Sequence, residues 1–177
     1  FKNSYDGQGY QVIDYCCVTY RADKYQFTGL FGEIQQATLK NIVMVASEPE
    51  KESGYVISEY NDNTKVYHPG VGALVGLVYV DRGSEYNDAT YATVTNCSVS
   101  GYLVKYSPTS SAYTPSAVGG LAGYNFGKIE NCSAVSKLIT AENSGNKTHY
   151  VGGLVGSING KGSITNCYAG GVVKASS

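Results

Sequence analysis

Excess charge of either sign, long apolar runs and paired metal-ligand motifs are all missing from this chain of 177 residues. A formal net charge of -1 leaves no electrostatic footprint for nucleic acid or for an acidic membrane surface. The longest apolar stretches, such as residues 71–80, are far too short to cross a bilayer, so no membrane insertion is expected. No C-x2-C or H-x3-H spacing occurs, which removes the usual zinc ligand sets, and no cofactor is expected. His68 and His149, the only histidines, have no matched Ser, Asp or Glu motif around them. No catalytic triad is therefore readable, and both are expected at loop-to-strand boundaries. Tryptophan is absent and no long run of strong helix formers appears, whereas Gly (22) and Tyr (17) are abundant. That balance points to a turn-rich β protein.

Other motifs fail on their details. Residues 156–161 (Gly-Ser-Ile-Asn-Gly-Lys) place three residues between the glycines, and Gly162 follows the lysine, so this is not a phosphate-binding loop. The acidic clusters at 61–63 and 81–88 lack the ligand order of a calcium loop and read as solvated loop charge. The chain begins at Phe1 and ends at Ser177 with no initiator Met, leader or anchor pattern. It is expected to be a processed or excised part of a longer protein.

What is present is a repeat. Asn-Cys occurs at 96–97, 131–132 and 166–167, at two identical intervals of 35 residues. Aligning on the asparagine brings residues 37–44 into the same register, with Asn41 in the column, and residues 10–17 with Asp14 there. Two positions earlier stand Val12, Leu39, Val94, Ile129 and Ile164, all branched and apolar. One position later stand Tyr15, Ile42, Cys97, Cys132 and Cys167. Apolar positions fall at even offsets before the asparagine and at odd offsets after it, which predicts two short strands meeting at a bend. A second element recurs upstream: residues 71–76 (Val-Gly-Ala-Leu-Val-Gly), 118–123 (Val-Gly-Gly-Leu-Ala-Gly), 151–156 (Val-Gly-Gly-Leu-Val-Gly), and a shorter form at 28–32. Its glycines are suited either to positive φ or to close backbone approach. Segments near 47–68, 79–88 and 105–116 break the spacing and are expected to be surface loops.

These features predict an all-β fold, a parallel β-helix or β-solenoid, right-handed as parallel crossovers generally are. One domain, 1–177, is expected, with units near 1–46, 66–104, 117–140 and 149–177. Asp14, Asn41, Asn96, Asn131 and Asn166 are expected to form an interior amide ladder, inaccessible to glycosylation at the Asn-Cys-Ser sites. Cys97, Cys132 and Cys167 are expected to stack as small buried hydrophobes. A disulfide between adjacent coils is conceivable, but three in a column leave one over. In the odd set of five, Cys17 is expected inward and Cys16 exposed.

The motifs at 118–134 and 151–173, and with its insertion 71–101, closely resemble those of Glug-repeat proteins. That resemblance implies an exported, often adhesin-like bacterial cell-surface protein, sometimes fused to IgA-cleaving metallopeptidases, and it brings no catalytic residues with it. The expected role is a non-catalytic stalk or binding segment. Loop tyrosines Tyr60, Tyr79, Tyr86, Tyr106 and Tyr113 form its candidate surface for a host or matrix protein or glycan. Alternatives are a homopolymer built through the solenoid ends and a polysaccharide-active enzyme, the latter disfavoured by scattered acids.

Overall fold

The computed structural model describes residues 1–20, 26–48, 53–60, 68–79, 91–108, 115–142 and 148–175. No helix occurs among them. Every strand pairing is parallel. The chain is a β-solenoid.

One complete coil shows the plan. Strand β9 (Gly70–Gly72) enters a tight arc at Ala73 and Leu74, and β10 (Val75–Tyr79) leaves it. Next come β11 (Thr93–Thr95), a bend at Asn96 and Cys97, β12 (Ser98–Ser100), a second bend at Gly101 and Tyr102, and β13 (Leu103–Pro108). The coil before it comprises β4 (Phe27–Thr28), β5 (Phe31–Gln35), β6 (Thr38–Lys40), β7 (Val43–Val45) and β8 (Tyr55–Tyr60). The coil after it comprises β14 (Ser116–Gly119), β15 (Ala122–Asn125), β16 (Lys128–Glu130) and β17 (Ser133–Ala141), the last running through the second bend unbroken. The final coil holds β18 (His149–Gly152), β19 (Val155–Ile158), β20 (Ser163–Thr165) and β21 (Tyr168–Ala175). At the other end β1 (Tyr5–Asp6), β2 (Gln11–Ile13) and β3 (Cys16–Tyr20) form a partial coil. Like strands stack into four sheets, at the roughly 4.8 Å spacing of paired strands.

Stacking turns each inward position into an apolar column. Leu39, Val94 and Ile129 form one, Met44, Val99 and Ala134 another, and Val56, Val104 and Ile139 a third, all with essentially no exposure. Each Leu, Ile, Val or Met among them contributes about 1.5–3 kcal/mol of transfer free energy. At the arc, the Leu121 carbonyl accepts N–H bonds from both Leu74 and Val75, and the Leu154 carbonyl from both Leu121 and Ala122. Coil-to-coil bonding therefore continues around the turn. The repeated glycines act here by close approach, none of those in the arcs having positive φ. A Cβ on Gly119 would lie 2.1 Å from the Ala122 oxygen and 2.6 Å from the Gly156 nitrogen.

The Asn-Cys bend works by a different device. Asn41, Asn96, Asn131 and Asn166 all adopt the left-handed conformation, with φ of 52–56°. Asparagine tolerates that region better than other residues with a Cβ. The turn it makes points the following side chain inward, and there the thiol bridges coils. Cys97 N–H donates to the Cys132 sulfur at 3.4 Å, and Cys132 N–H to the Cys167 sulfur at 3.3 Å. Each thiol donates in turn to the carbonyl two residues back: Cys97 to Thr95 at 3.2 Å, Cys132 to Glu130 at 3.1 Å, Cys167 to Thr165 at 3.1 Å. Cysteine thus fills an apolar position while providing an acceptor for the N–H at the bend.

Three expectations from the sequence need correction. Pairing of Gln11 with Val43 and Val12 with Met44 places Asp14 at the second bend, so it lies outside the asparagine column. The Asn bend of the partial coil is made by Gly7–Gly9, whose N–H groups bond Lys40 and Asn41 carbonyls. Alignment erred because Val12 and Asp14 imitate the apolar-x-Asn spacing. The expected unit 1–46 accordingly straddles two coils. The loop segments were drawn too wide as well: β8 lies inside 47–68, and β13 reaches Pro108 inside 105–116. Their alternating polar and apolar residues pair on both sides with neighbouring coils.

Substitutions should separate these devices in urea-unfolding measurements. Asn131→Ala is expected to cost about 1 kcal/mol, the strain of alanine in the left-handed region, while Asn131→Gly stays near wild type. Cys132→Ala leaves the Cys97 N–H unsatisfied and should cost about 1–3 kcal/mol, with Cys132→Ser losing less. Gly119→Ala should cost about 2 kcal/mol or more by overpacking, while Gly170→Ala, whose nearest neighbours lie at 3.7 Å, is expected to be nearly neutral.

Candidate functional surface

The asparagine column stands on the outside of the solenoid. Asn96, Asn131 and Asn166 are exposed and Asn41 part-exposed, because the left-handed turn directs their Cβ atoms away from the core. The interior placement expected from sequence is wrong, and with it the argument that the Asn-Cys-Ser sites at 96 and 131 are inaccessible. A side-chain ladder does run along part of this edge. Asn41 Nδ2 donates to Asp6 Oδ1 at 2.9 Å, and Asn96 Nδ2 to Asn41 Oδ1 at 3.4 Å. The Asn41 bond, the Gln8 N–H and the Lys40 ammonium, 3.2 Å away, hold the Asp6 carboxyl below its usual range. Asp14 performs a separate task at the second bend, accepting from the Ser47 N–H at 2.8 Å and from its hydroxyl at 2.5 Å. Those Ser47 bonds depress its pKa.

The cysteines behave as core. Cys97 and Cys132 are buried and Cys167 is part-buried at the end coil. Its bond to Cys97 and its burial push the Cys132 thiol up, and burial pushes Cys167 up, so both remain S–H donors at neutral pH. Cys16 is exposed and Cys17 half-buried on opposite faces of β3.

Among the tyrosines proposed as a surface, Tyr106 is a correction: it is 2% exposed. Alternation along β13 points it inward with Val104, into a column otherwise occupied by the small residues Ser58 and Ala141. Its ring lies 5.6 Å from that of His149. Tyr79 ends β10, part-exposed. Tyr60 ends β8, but its side chain lies outside the described residues, as do Tyr86 and Tyr113. The structure adds tyrosines that the sequence reading passed over: Tyr10, Tyr20 and Tyr168 are 76%, 63% and 65% exposed. For Tyr168 a signal existed. It stands two residues after Asn166, in the outward column shared with Ser98 and Ser133.

Two polar clusters join successive coils. Lys105 Nζ meets Glu142 Oε1 at 2.6 Å, and the Ser107 hydroxyl donates to the other carboxylate oxygen. Burial tends to raise the Glu142 pKa, yet these partners outweigh it and hold the group ionised below its ordinary value. Deeper in, Ser116 Oγ lies 2.7 Å from His149 Nδ1, and burial lowers the imidazole pKa. Ser116 is completely enclosed, so its hydroxyl has no path to a substrate. The pair links β14 to β18. His149 is the first residue of β18, and His68 is exposed two residues ahead of β9.

The last two coils carry a motif known from other proteins. The family model described as the GLUG motif matches residues 114–139 and 148–174, which together hold the last two coils. The chain is 28% identical over 169 residues to an immunoglobulin A1 protease of Streptococcus pneumoniae, a match covering 94% of this chain and 8% of that protein. The chain thus spans a small fraction of the relative's length. A Bacteroides ovatus protein of solved crystal structure, provisionally described as an immunoglobulin A1 protease, aligns over 99% of this chain and 62% of its own, with 18% identity and a TM-score of 0.44. The arc, bend and thiol column of the last two coils lie within the stretches that match the GLUG motif, so the chain carries Glug-type repeats there.

Proposed function

We propose that the chain is a non-catalytic stalk or binding segment of an exported bacterial surface protein, adhesin-like, contacting a host or matrix protein or glycan. The observation that carries this reading is where length varies. Extra residues fall between β7 and β8, β8 and β9, and β10 and β11, while the strands themselves keep coil-to-coil register. A stiff wall with variable connections suits display of binding segments at fixed spacing. The non-catalytic part of the reading is supported by the enclosure of Ser116 and by the structural use of the thiols. In a protein as long as the streptococcal relative, such a module would position or anchor other domains.

The alternative reading is end-to-end assembly into a fibre, by the same parallel strand pairing that joins successive coils within the chain.

Immobilised chain should bind saturably to at least one member of a panel of immunoglobulin A1, matrix proteins and host glycans, leaving each intact on gels. Cleavage of any of them by the purified chain would overturn the non-catalytic reading. Filaments in electron micrographs that lengthen with concentration would transfer the assignment to the fibre.

A further inference from the structure

Where the last coil joins the one before it, a histidine is held in surroundings that suit only its neutral form. His149 opens β18, the edge strand of its sheet, which pairs with β14 alone among the described strands. Register sets it directly beside Ser116, a residue with no exposure, and its Nδ1 lies 2.7 Å from the Ser116 hydroxyl oxygen. The other ring nitrogen, Nε2, is also cut off from solvent, and no hydrogen-bond partner reaches it. The Tyr106 ring packs against the imidazole at 5.6 Å, tilted by 56°.

A neutral imidazole in this place leaves one buried atom unsatisfied, a bare lone pair or an N–H at Nε2 according to tautomer. Protonation makes both nitrogens donors. The Ser116 oxygen can accept from Nδ1, but Nε2–H then has no acceptor and a full charge is taken out of water. No carboxylate among the described residues offsets that charge. The strands β14 and β19, packed against β18, carry no ionisable side chain. From β17 come Lys137 and, just past its end, Glu142, which Lys105 and the Ser107 hydroxyl already engage. From β21 come Tyr168 and Lys174, the latter in the outward column with Lys105. Burial accordingly holds the His149 pKa below its ordinary value.

We infer that the Ser116–His149 pair is an acid-sensitive clasp: it holds the start of the last coil to the solenoid at neutral pH and releases it when the imidazole takes up a proton. In the released state β18 leaves β14 and the ring reaches water, where its charge is solvated. A base whose pKa is depressed in the closed state stabilises that state above its ordinary pKa of about 6.5. This contribution is lost as pH falls below that value toward the depressed one. Carboxylates do not titrate in the same window. Asp6, Asp14 and Glu142 are all held below their ordinary values and stay ionised while the histidine responds. Release is local, because β19, β20 and β21 keep their own pairings with β15, β16 and β17.

Hydrogen exchange followed by mass spectrometry on the 177-residue chain tests the clasp, with rates corrected for the intrinsic effect of pH on amide chemistry. Between about pH 7.5 and 5.5 the amides of β18 should open about three- to tenfold more often, since one such group changes an equilibrium by at most about tenfold per pH unit. Those of β20, in the same coil, should not change. His149→Asn keeps a polar partner for Ser116 but takes up no proton, and it should abolish the response. His68→Asn should preserve it; His68 has φ of 53°, a conformation asparagine tolerates. Should the His149 variant unfold, nuclear magnetic resonance on the wild type decides, with His68→Asn assigning the two ring signals. The His149 ring should titrate below about 6.5. Titration at or above that value overturns the clasp. So does a β18 response that is absent, that persists in His149→Asn, or that spreads evenly over the last coil.

Discussion

The structure depends on uninterrupted backbone hydrogen bonding from coil to coil, above all where the chain turns. Strands satisfy each other's N–H and C=O groups automatically, whereas bends leave such groups pointing at neighbours that are themselves bending. Two local solutions recur. At the glycine arc the Leu carbonyls of Leu121 and Leu154 each take two N–H bonds from the coil before. At the asparagine bend a sulfur accepts the N–H that follows the left-handed residue. Both solutions need identical geometry in adjacent coils, and that requirement explains why the repeat interval of the last three bends is held at one value.

Packing follows from this register. With the backbone stacked, every inward side chain meets its equivalent above and below, so column volumes are shared. Where one coil supplies Tyr106, its neighbours supply Ser58 and Ala141. The glycines of the arc are the opposite extreme, since the facing backbones approach so closely that a Cβ on Gly119 would strike a carbonyl oxygen. The wall is consequently rigid and repetitive. Functional variety is left to the connections between strands and to the outward columns, which the core does not constrain.

The periodic part of this design was legible from residues alone. Apolar residues two before and one after Asn96, Asn131 and Asn166 report a change of inward parity, and only a bend between strands produces that change. The same pattern misled at Asp14. Two apolar residues flanking an acid look identical in sequence to a bend whose strands have other partners. Tyr106 was misplaced for a related reason: the serines and proline that follow it suggest a loop, but pairing with β8 and β17 continues the strand through Pro108.

The sequence by itself determined the repeat, the all-β class, the alternation of inward and outward residues around each Asn-Cys pair, and the absence of a charge pattern for nucleic acid. Those properties are local or periodic, and a one-dimensional pattern records them. Tertiary structure alone decided which coil each early segment joins, that the asparagines face solvent, and that the thiols accept backbone N–H groups across coils. Each of these depends on the vertical neighbour of a residue, which lies several tens of positions away in the chain, and neighbours at that distance are chosen by strand pairing.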